Sequence, residues 1–514
     1  MLVIMVINTT RLISVLDAYC QGRAMLLNAE LLLQYQRCRR RSFLDTHGDL
    51  SLINAPTDFL LKLQQDKSTH RQTVLAQQTY QRPDYAKGDW EAGAKATLDL
   101  MQQGVDCIYK GVLLGAYGEF TLLSRPDLLI KQSGVSRFGD WVYVPAQIEL
   151  GKRPKLEYQI VAAFHAQVLA ALQESVPDIA WLLLRSREAY AVNLARALPQ
   201  MQRVLEECIQ TLQSPQAPEV FIARQRCSLC RWFTQCYAIA KSQQHLSLLP
   251  GVTPSRYAQL QALNLVPVES LATVNPTVLE NLPGFDSRVA HNLVLQGQSS
   301  IQNRPVLLPL VGTRGQGDRG TRGKEGIELY FDIEAQPDLN LDYLLGVLVV
   351  DHQAQTETFH PLLAEQPEAE ESVWQQFLDL VWQHPLAPIF HFCSYEVDTV
   401  KRLAKLYHTP PERVRPVLER FVDVYEQVTQ SVALPVESYA LKSIARWLGF
   451  EWNDPHANGS QCIYWYDQWL ETGDRSFLEA IQGYNSDDCR ATRHVKEWIF
   501  NFLEEELRMR VFTS

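Results

Sequence analysis

The alternation of apolar and polar positions is sharpest from residue 327 onward. IELYFDIEA, YLLGVLVVD and TETFHPLL are three β-rich runs separated by turns, each short and rich in branched and aromatic residues as strands are. EESVWQQFLDLVWQHP then switches to a helical period. APIFHFCS returns to a short buried strand, and YEVDTVKRLAKLY to a helix. Three further helical segments are predicted, the last a long one through Asp488 to about Arg510. The order β-β-β-α-β-α predicts a mixed sheet flanked by helices. Upstream, residues 26–245 mix helical and strand patterns, and residues 246–298 hold a short repeat. LLPGVTPSRYAQLQAL and NLPGFDSRVAHNLVLQ both read Leu-Pro-Gly-apolar and then a helix, with Gly251 and Gly284 in equivalent places. VGTRGQGDRGTRGKEG has almost no apolar content, which predicts a flexible linker over 299–326. The expected organisation is therefore an extension over 1–24, an α/β domain over 25–245, a small helical region over 246–298, the linker, and an α/β domain over 327–514.

Composition narrows the function classes. The chain has 514 residues, 46% hydrophobic and 21% charged, enough for two or three cores of ordinary size. The formal net charge of −10 excludes a protein that coats nucleic acid by bulk charge, so any such contact must come from local basic patches. No apolar run approaches the ~18–20 residues that span a bilayer. The first residues, MLVIMVINTTRLISVLDAYCQGRA, lack basic residues before a short apolar stretch and lack a convincing cleavage site, unlike a secretory signal. They read as a disordered extension, with a natural start at Met25. The expected compartment is the cytoplasm, where ten cysteines do not form a disulfide framework.

Carboxylates carry the most specific chemistry. Asp332 and Glu334 stand at i and i+2 of one strand, which puts both on one face, with Phe331 and Ile333 on the other. Two such carboxylates on a central strand repel each other and resist desolvation unless a cation lies between them. Glu396 follows the strand of PIFHFCS, and strand ends in α/β sheets are where ligand groups gather. Tyr484 and Asp488, in GYNSDDCRAT, share a helix face at i, i+4. Two-metal phosphodiester chemistry needs about four carboxylates around cations ~3.5–4 Å apart and a group that orients water. Tyr484 suits the second task.

FDIE, HFCSYE and YNSDD together resemble the DEDD exonuclease superfamily in its tyrosine-containing branch. HFCSYE stands where that superfamily shows His-Asn-x-x-Phe-Asp, so Phe392 replaces Asn and Glu396 replaces Asp. That variant resembles the YprB-type RNase H-like domain. The resemblance spans 327–505 and implies Mg²⁺ or Mn²⁺ on Asp332, Glu334, Glu396 and Asp488. Asp423, in FVDVYEQV, is expected near the cleft, and Asp398 and Asp487 are alternates should the register differ.

CSLCRWFTQC holds Cys227, Cys230 and Cys236, three thiols on one short segment, which suits a metal. Cys38, in QYQRCRRRSF, is the candidate fourth ligand. One distant cysteine plus three clustered ones resembles iron–sulfur nucleases of the RecB-like PD-(D/E)xK group, in which a [4Fe–4S] cluster staples a restriction-endonuclease-like domain. Tetrahedral thiolates also fit zinc. His70 on a helix and Pro126-Asp127 in SRPDLLIK extend that resemblance. YVPAQIELGKRPK departs from it, with Gln147-Ile148-Glu149 where the family reads acidic-x-Lys, and with Val161 and His165 on the following helix. Gln147 is a weak metal ligand, Glu149 cannot supply the missing positive charge, and Lys152 lies in a turn or on the other strand face. The N-terminal site therefore reads as degenerate, a fold kept for binding, with RCRRRSF as a basic contact.

The Leu-Pro-Gly turns resemble helix-hairpin-helix elements, whose glycines let backbone N–H groups approach a phosphate. Over nearly its whole length the chain resembles the TM0106-like group of RecB-type nucleases. This implies a 3′–5′ exonuclease acting on nucleic acid, DNA before RNA, in a setting such as DNA repair. A RecB-like endonuclease or 5′-exonuclease with an accessory C-terminal domain, and a catalytically dead binding protein, are the alternatives.

Overall fold

The computed structural model describes residues 25–185, 188–309 and 326–513. The extension over 1–24 and the Gly/Arg-rich stretch 310–325 lie outside them. The chain forms two compact units. The first comprises the described residues up to Val220 together with Arg224–Gln235. The second comprises Phe221–Ala223 and the described residues from Cys236 on. No helix among the described residues is long and apolar enough to cross a membrane.

In the first unit, β1 (Met25–Asn28), β3 (Leu113–Tyr117) and β4 (Phe120–Ser124) form a three-stranded sheet in the order β1-β4-β3. β2 (Cys107–Tyr109), β5 (Leu128–Ser136), β6 (Gly139–Glu149), β7 (Ile179–Leu184) and β8 (Tyr190–Asn193) form a mixed sheet in the order β2-β5-β6-β7-β8. The helix Leu156–Gln173 crosses between β6 and β7, which therefore run parallel. Its sequence is apolar on nearly every face, and Ile160, Val161, Ala163, Phe164 and Leu169 are buried accordingly. Asp127 sits in a bend just before β5 rather than on a strand, and Gln147–Glu149 close β6.

In the second unit, β10 (Ile327–Gln336), β11 (Leu341–Asp351) and β12 (Thr356–Leu363) make an antiparallel meander. β13 (Ile389–His391) and β14 (Phe421–Asp423) extend it in parallel, giving the order β12-β11-β10-β13-β14. β10 is thus central, and both of its faces are covered. Phe331 stacks on Phe377 of the helix Glu370–Gln383 at 4.6 Å, while the opposite face meets the helix Arg475–Thr513. After the helix Tyr395–Leu406, five helices follow where the periodicity read as three. Pro411–Leu418 and Val424–Ser431 have eight residues each, too few to show two helical periods.

The linker begins later than the sequence predicts. The helix Ser287–Gln302 runs into it, and β9 (Val306–Leu307) pairs with β15 (Val432–Ala433). Gln296 is buried with both ends of its amide satisfied, donating to Leu434 O at 2.6 Å and accepting from the Tyr439 hydroxyl at 2.8 Å. A buried amide is held only where such partners exist, so the helical region and the last sheet pack as one body. Within it the two Leu-Pro-Gly turns share one backbone geometry: Gly251 and Gly284 both have φ of +85°, open to glycine at no steric cost. Arg256 ties them, donating to Gly251 O at 2.8 Å and Gly284 O at 2.9 Å. Thr253 and Asp286 cap the helices that follow.

Candidate metal centre

The second unit brings Asp332, Glu334 and Asp488 together. One carboxylate oxygen from each lies within 4.8 Å of the others. The strand alternation supplies the first two, and the long helix supplies the third. Burial and mutual repulsion push the carboxyls of Asp332 and Glu334 well above the usual range, and burial pushes Asp488 to about 6. Two buried acids and a half-buried one, repelling one another, form a site built for positive charge.

Glu396 stands beside them, close enough to Asp332 to add to its repulsion. It is reached by a sharp turn after β13. Cys393 adopts φ of +82°, uncommon for a residue with a Cβ, and the His391 ring N–H donates to Cys393 O at 2.6 Å. The same His391 nitrogen lies 3.4 Å from Glu396 Oε2. That oxygen is buried and makes no hydrogen bond. An orphaned carboxylate oxygen costs heavily, and a cation shared with Asp332 would satisfy it. The donor set, all hard oxygens, fits Mg²⁺ or Mn²⁺.

The remaining groups orient the ligands. Tyr484 is buried beside Asp488. Trp452 Nε1 donates to Asp488 at 2.7 Å, and Asn485 Nδ2 to Asp332 at 2.6 Å. Lys442 Nζ lies 4.8 Å from the centre of the Tyr484 ring and 5.3 Å from that of Trp452, and donates to Ala457 O. None of Trp452, Asn485 or Lys442 was singled out from the sequence. Asn485 had a signal, since it precedes Asp488 by three residues and shares its helix face.

Of the alternates, Asp487 turns away, accepting from Asn453 N–H and Nδ2, both at 2.8 Å, and Asp398 is exposed. Asp423 lies beside Glu396 and accepts from Cys393 N–H at 3.1 Å and Glu426 N–H at 3.2 Å. An open groove of about 520 Å³ adjoins it, lined by Cys393, Asp423, Tyr425 and Tyr439 among others.

Gly346 of β11 pairs with Asp332. A Cβ there would collide with Asn485 Oδ1. Gly346→Ala should therefore displace the group that holds Asp332. The expected result is a 10–100-fold weaker Mn²⁺ affinity, the usual effect of losing a supporting shell, read by calorimetric titration. Unchanged affinity would remove Asn485 from the site.

In the first unit the expected residues meet differently. Asp127 and Glu149 lie at neighbouring positions, because Asp127 accepts from Ile148 N–H at 2.8 Å. Gln147 Nε2 lies 3.4 Å from Glu149. His70 sits near Leu183 O, at 3.4 Å, and His165 Nδ1 bonds the Ser124 hydroxyl at 2.8 Å. Cys38, Cys227 and Cys230 also belong to this unit, with Cys38 close to Cys230. Cys236 belongs to the second.

Residues 329–500 match the model of RNase_H_2, a family of the RNase_H superfamily. The matched stretch contains all five residues of the C-terminal centre and lies wholly in the second unit. A comparison with curated proteins finds no match. An RNase H-like domain holding an acidic triad is a nuclease-type hydrolase of nucleic-acid phosphodiesters, dependent on divalent metal.

Proposed function

We propose that the chain is a 3′–5′ exonuclease, acting on DNA before RNA, in which Asp332, Glu334, Glu396 and Asp488 hold two divalent cations. The observation that carries this reading is the convergence of three carboxylates beside a fourth whose buried oxygen makes no hydrogen bond. Bound Mg²⁺ or Mn²⁺ supplies Lewis-acid activation of water and stabilisation of the leaving oxygen. The protein does the rest. Asn485 and Trp452 fix the carboxylates of Asp332 and Asp488. Tyr484, beside Asp488, presents its hydroxyl to the attacking water. Lys442 places one positive charge beside this acidic cluster, where phosphate charge builds up. The groove at Tyr425 takes the end of the strand. The polarity comes from the resemblance of FDIE, HFCSYE and YNSDD to the tyrosine-containing exonucleases.

The full chain with Mn²⁺ and a 5′-labelled DNA strand should give a descending ladder, while a 3′-label should be released at once as mononucleotide. Internal fragments, or release from the 5′ end, would reject the exonuclease reading. Tyr484→Phe should bind the strand normally and turn over slowly, a loss in kcat with KM kept.

Two companion proposals concern the other regions. The turns at Gly251 and Gly284 would contact backbone phosphates without regard to sequence. Cys38, Cys227 and Cys230 would bind a [4Fe–4S] cluster in a reducing cytoplasm, as the resemblance to the iron–sulfur nucleases implies. Tetrahedral thiolates fit zinc as well. Analysis for iron and labile sulfide decides between them.

A further inference from the structure

The first unit holds charged groups that the proposed cleavage does not use. Asp127 is fully buried. Its Oδ1 accepts from Lys110 Nζ at 2.6 Å and from Arg71 Nε at 3.1 Å, and its Oδ2 accepts from Ile148 N–H. Glu149, also buried, accepts from Lys67 Nζ at 3.1 Å. A divalent ion needs these same oxygens at about 2.0–2.6 Å, and cationic side chains already stand there. The residues present do not fit a metal.

The carboxylates and their partners differ in exposure. The side chains of Asp127 and Glu149 are 0% and 6% exposed, against 21% for Lys110, 25% for Arg71 and 33% for Lys67. The carboxylates thus lie beneath the cations, which face outward. Arg125 adds a fourth cation near Lys110, its guanidinium 5.1 Å from the Trp90 ring and its Nε buried without a partner. Four cations over two carboxylates leave an excess of positive charge. Lys110 is also held at φ +55°, a backbone state uncommon for lysine and a kind of strain that collects at functional positions. Gln147 Oε1 and His165 Nε2 are buried there without partners as well.

We propose that this cluster is a metal-independent clamp for backbone phosphates, in which Asp127 and Glu149 hold Lys67, Arg71 and Lys110 in place to grip a nucleic-acid strand. It rests on the reading that the chain acts on nucleic acid. The carboxylates serve as anchors for cations and take no part in hydrolysis. A planar guanidinium and two ammonium groups, two of the three on one helix and the third in a turn, suit phosphodiester oxygens.

The test is fluorescence anisotropy of the full chain with a labelled single-stranded oligodeoxynucleotide in EDTA, over a range of salt. The wild type should bind. Lys67→Gln with Arg71→Gln should bind at least 10-fold more weakly, with the slope of log K against log salt shallower by roughly 1.4, about 0.7 for each phosphate no longer neutralised. Lys67→Arg with Arg71→Lys should restore most of the binding. Should the double glutamine variant fail to fold, Lys110→Gln with Asp127→Asn removes the most buried pair, leaves the part-exposed Arg71 without its anchor, and should weaken binding likewise. Wild-type binding that requires Mn²⁺, or binding in EDTA that ignores these variants, overturns the clamp. Cleavage of the same strand by the wild type in Mn²⁺ is scored separately. Cleavage without the clamp signature rejects the clamp alone, and the signature without cleavage rejects the exonuclease alone.

Discussion

Exchange of Asp332 or Asp488 for asparagine in the full chain should abolish metal-dependent cleavage. The loss should exceed the 10–100-fold that follows removal of a supporting group. Each exchange removes a charge from a set of three carboxylates within 4.8 Å of one another and keeps shape. The amide introduced at position 488 would still accept from Trp452, and the one at position 332 would still meet Asn485, so the fold is retained. A neutral amide, however, cannot share in holding two divalent cations. Asp487→Asn is the control. Its carboxylate is bound to Asn453, so it should reduce stability and leave the metal chemistry in place. Cleavage that survives Asp332→Asn and Asp488→Asn would place catalysis elsewhere in the chain.

The same substitutions should make the metal-free protein more stable. The sign follows from the direction of the shifts. A carboxyl whose pKa in the fold is raised above its unfolded value binds more protons when folded, so stability falls as pH rises from the unfolded value to the folded one. For Asp488 that interval runs from 3.8 to about 6. Taken alone it destabilises the ionised fold by about 3 kcal/mol, and Asp332 and Glu334 add to it in the same direction. In EDTA, Tm should therefore drop as pH rises from 4 through 6, and Asp332 and Glu334, whose carboxyls are raised well above the usual range, carry the drop further. Asp488→Asn should flatten that drop, and Mn²⁺ should reverse it at pH 7. A concentration 100 times Kd adds about 2.7 kcal/mol, a rise of several degrees for a body of this size. Thermal scans at several pH values, with EDTA and with Mn²⁺, check the pattern. A metal-free Tm that increases across pH 4–6 would show that these acids are not strained against each other.

Residue spacing made part of this visible in the sequence. β10, β11 and β12 are eight to eleven residues long, enough for alternation to stand out, and i, i+2 and i, i+4 intervals put three carboxylates on defined faces before any fold was known. β14 is three residues long, and no period can be read from so few. Trp452, Lys442 and Gly346 each reach the centre from a separate segment, so only the fold brings them to it. The N-terminal charge cluster was legible only in its acids. Asp127 and Glu149 stood out as remnants of a metal site, while Lys67, Arg71 and Lys110 look like ordinary surface charge until a helix and a loop set them on those carboxylates. Asp127→Ala would leave Lys110 and Arg71 facing an empty buried position, so Asp127→Asn is the better probe of that site.

The space at Gly346 also bears on how the sheet chooses its pairing. In LDYLLGVLVVD of β11, glycine occurs once. A strand that slipped past β10 by one or two residues would put Leu344, Leu345, Val347 or Leu348 opposite Asp332, and each carries a Cβ where Asn485 must lie. Slippage is the ordinary error of β-sheets, and one-residue slips also reverse the faces. Here the long helix acts as a proofreader. It can seat Asn485 only against the correct alignment, so a misaligned sheet cannot close over its own acidic centre.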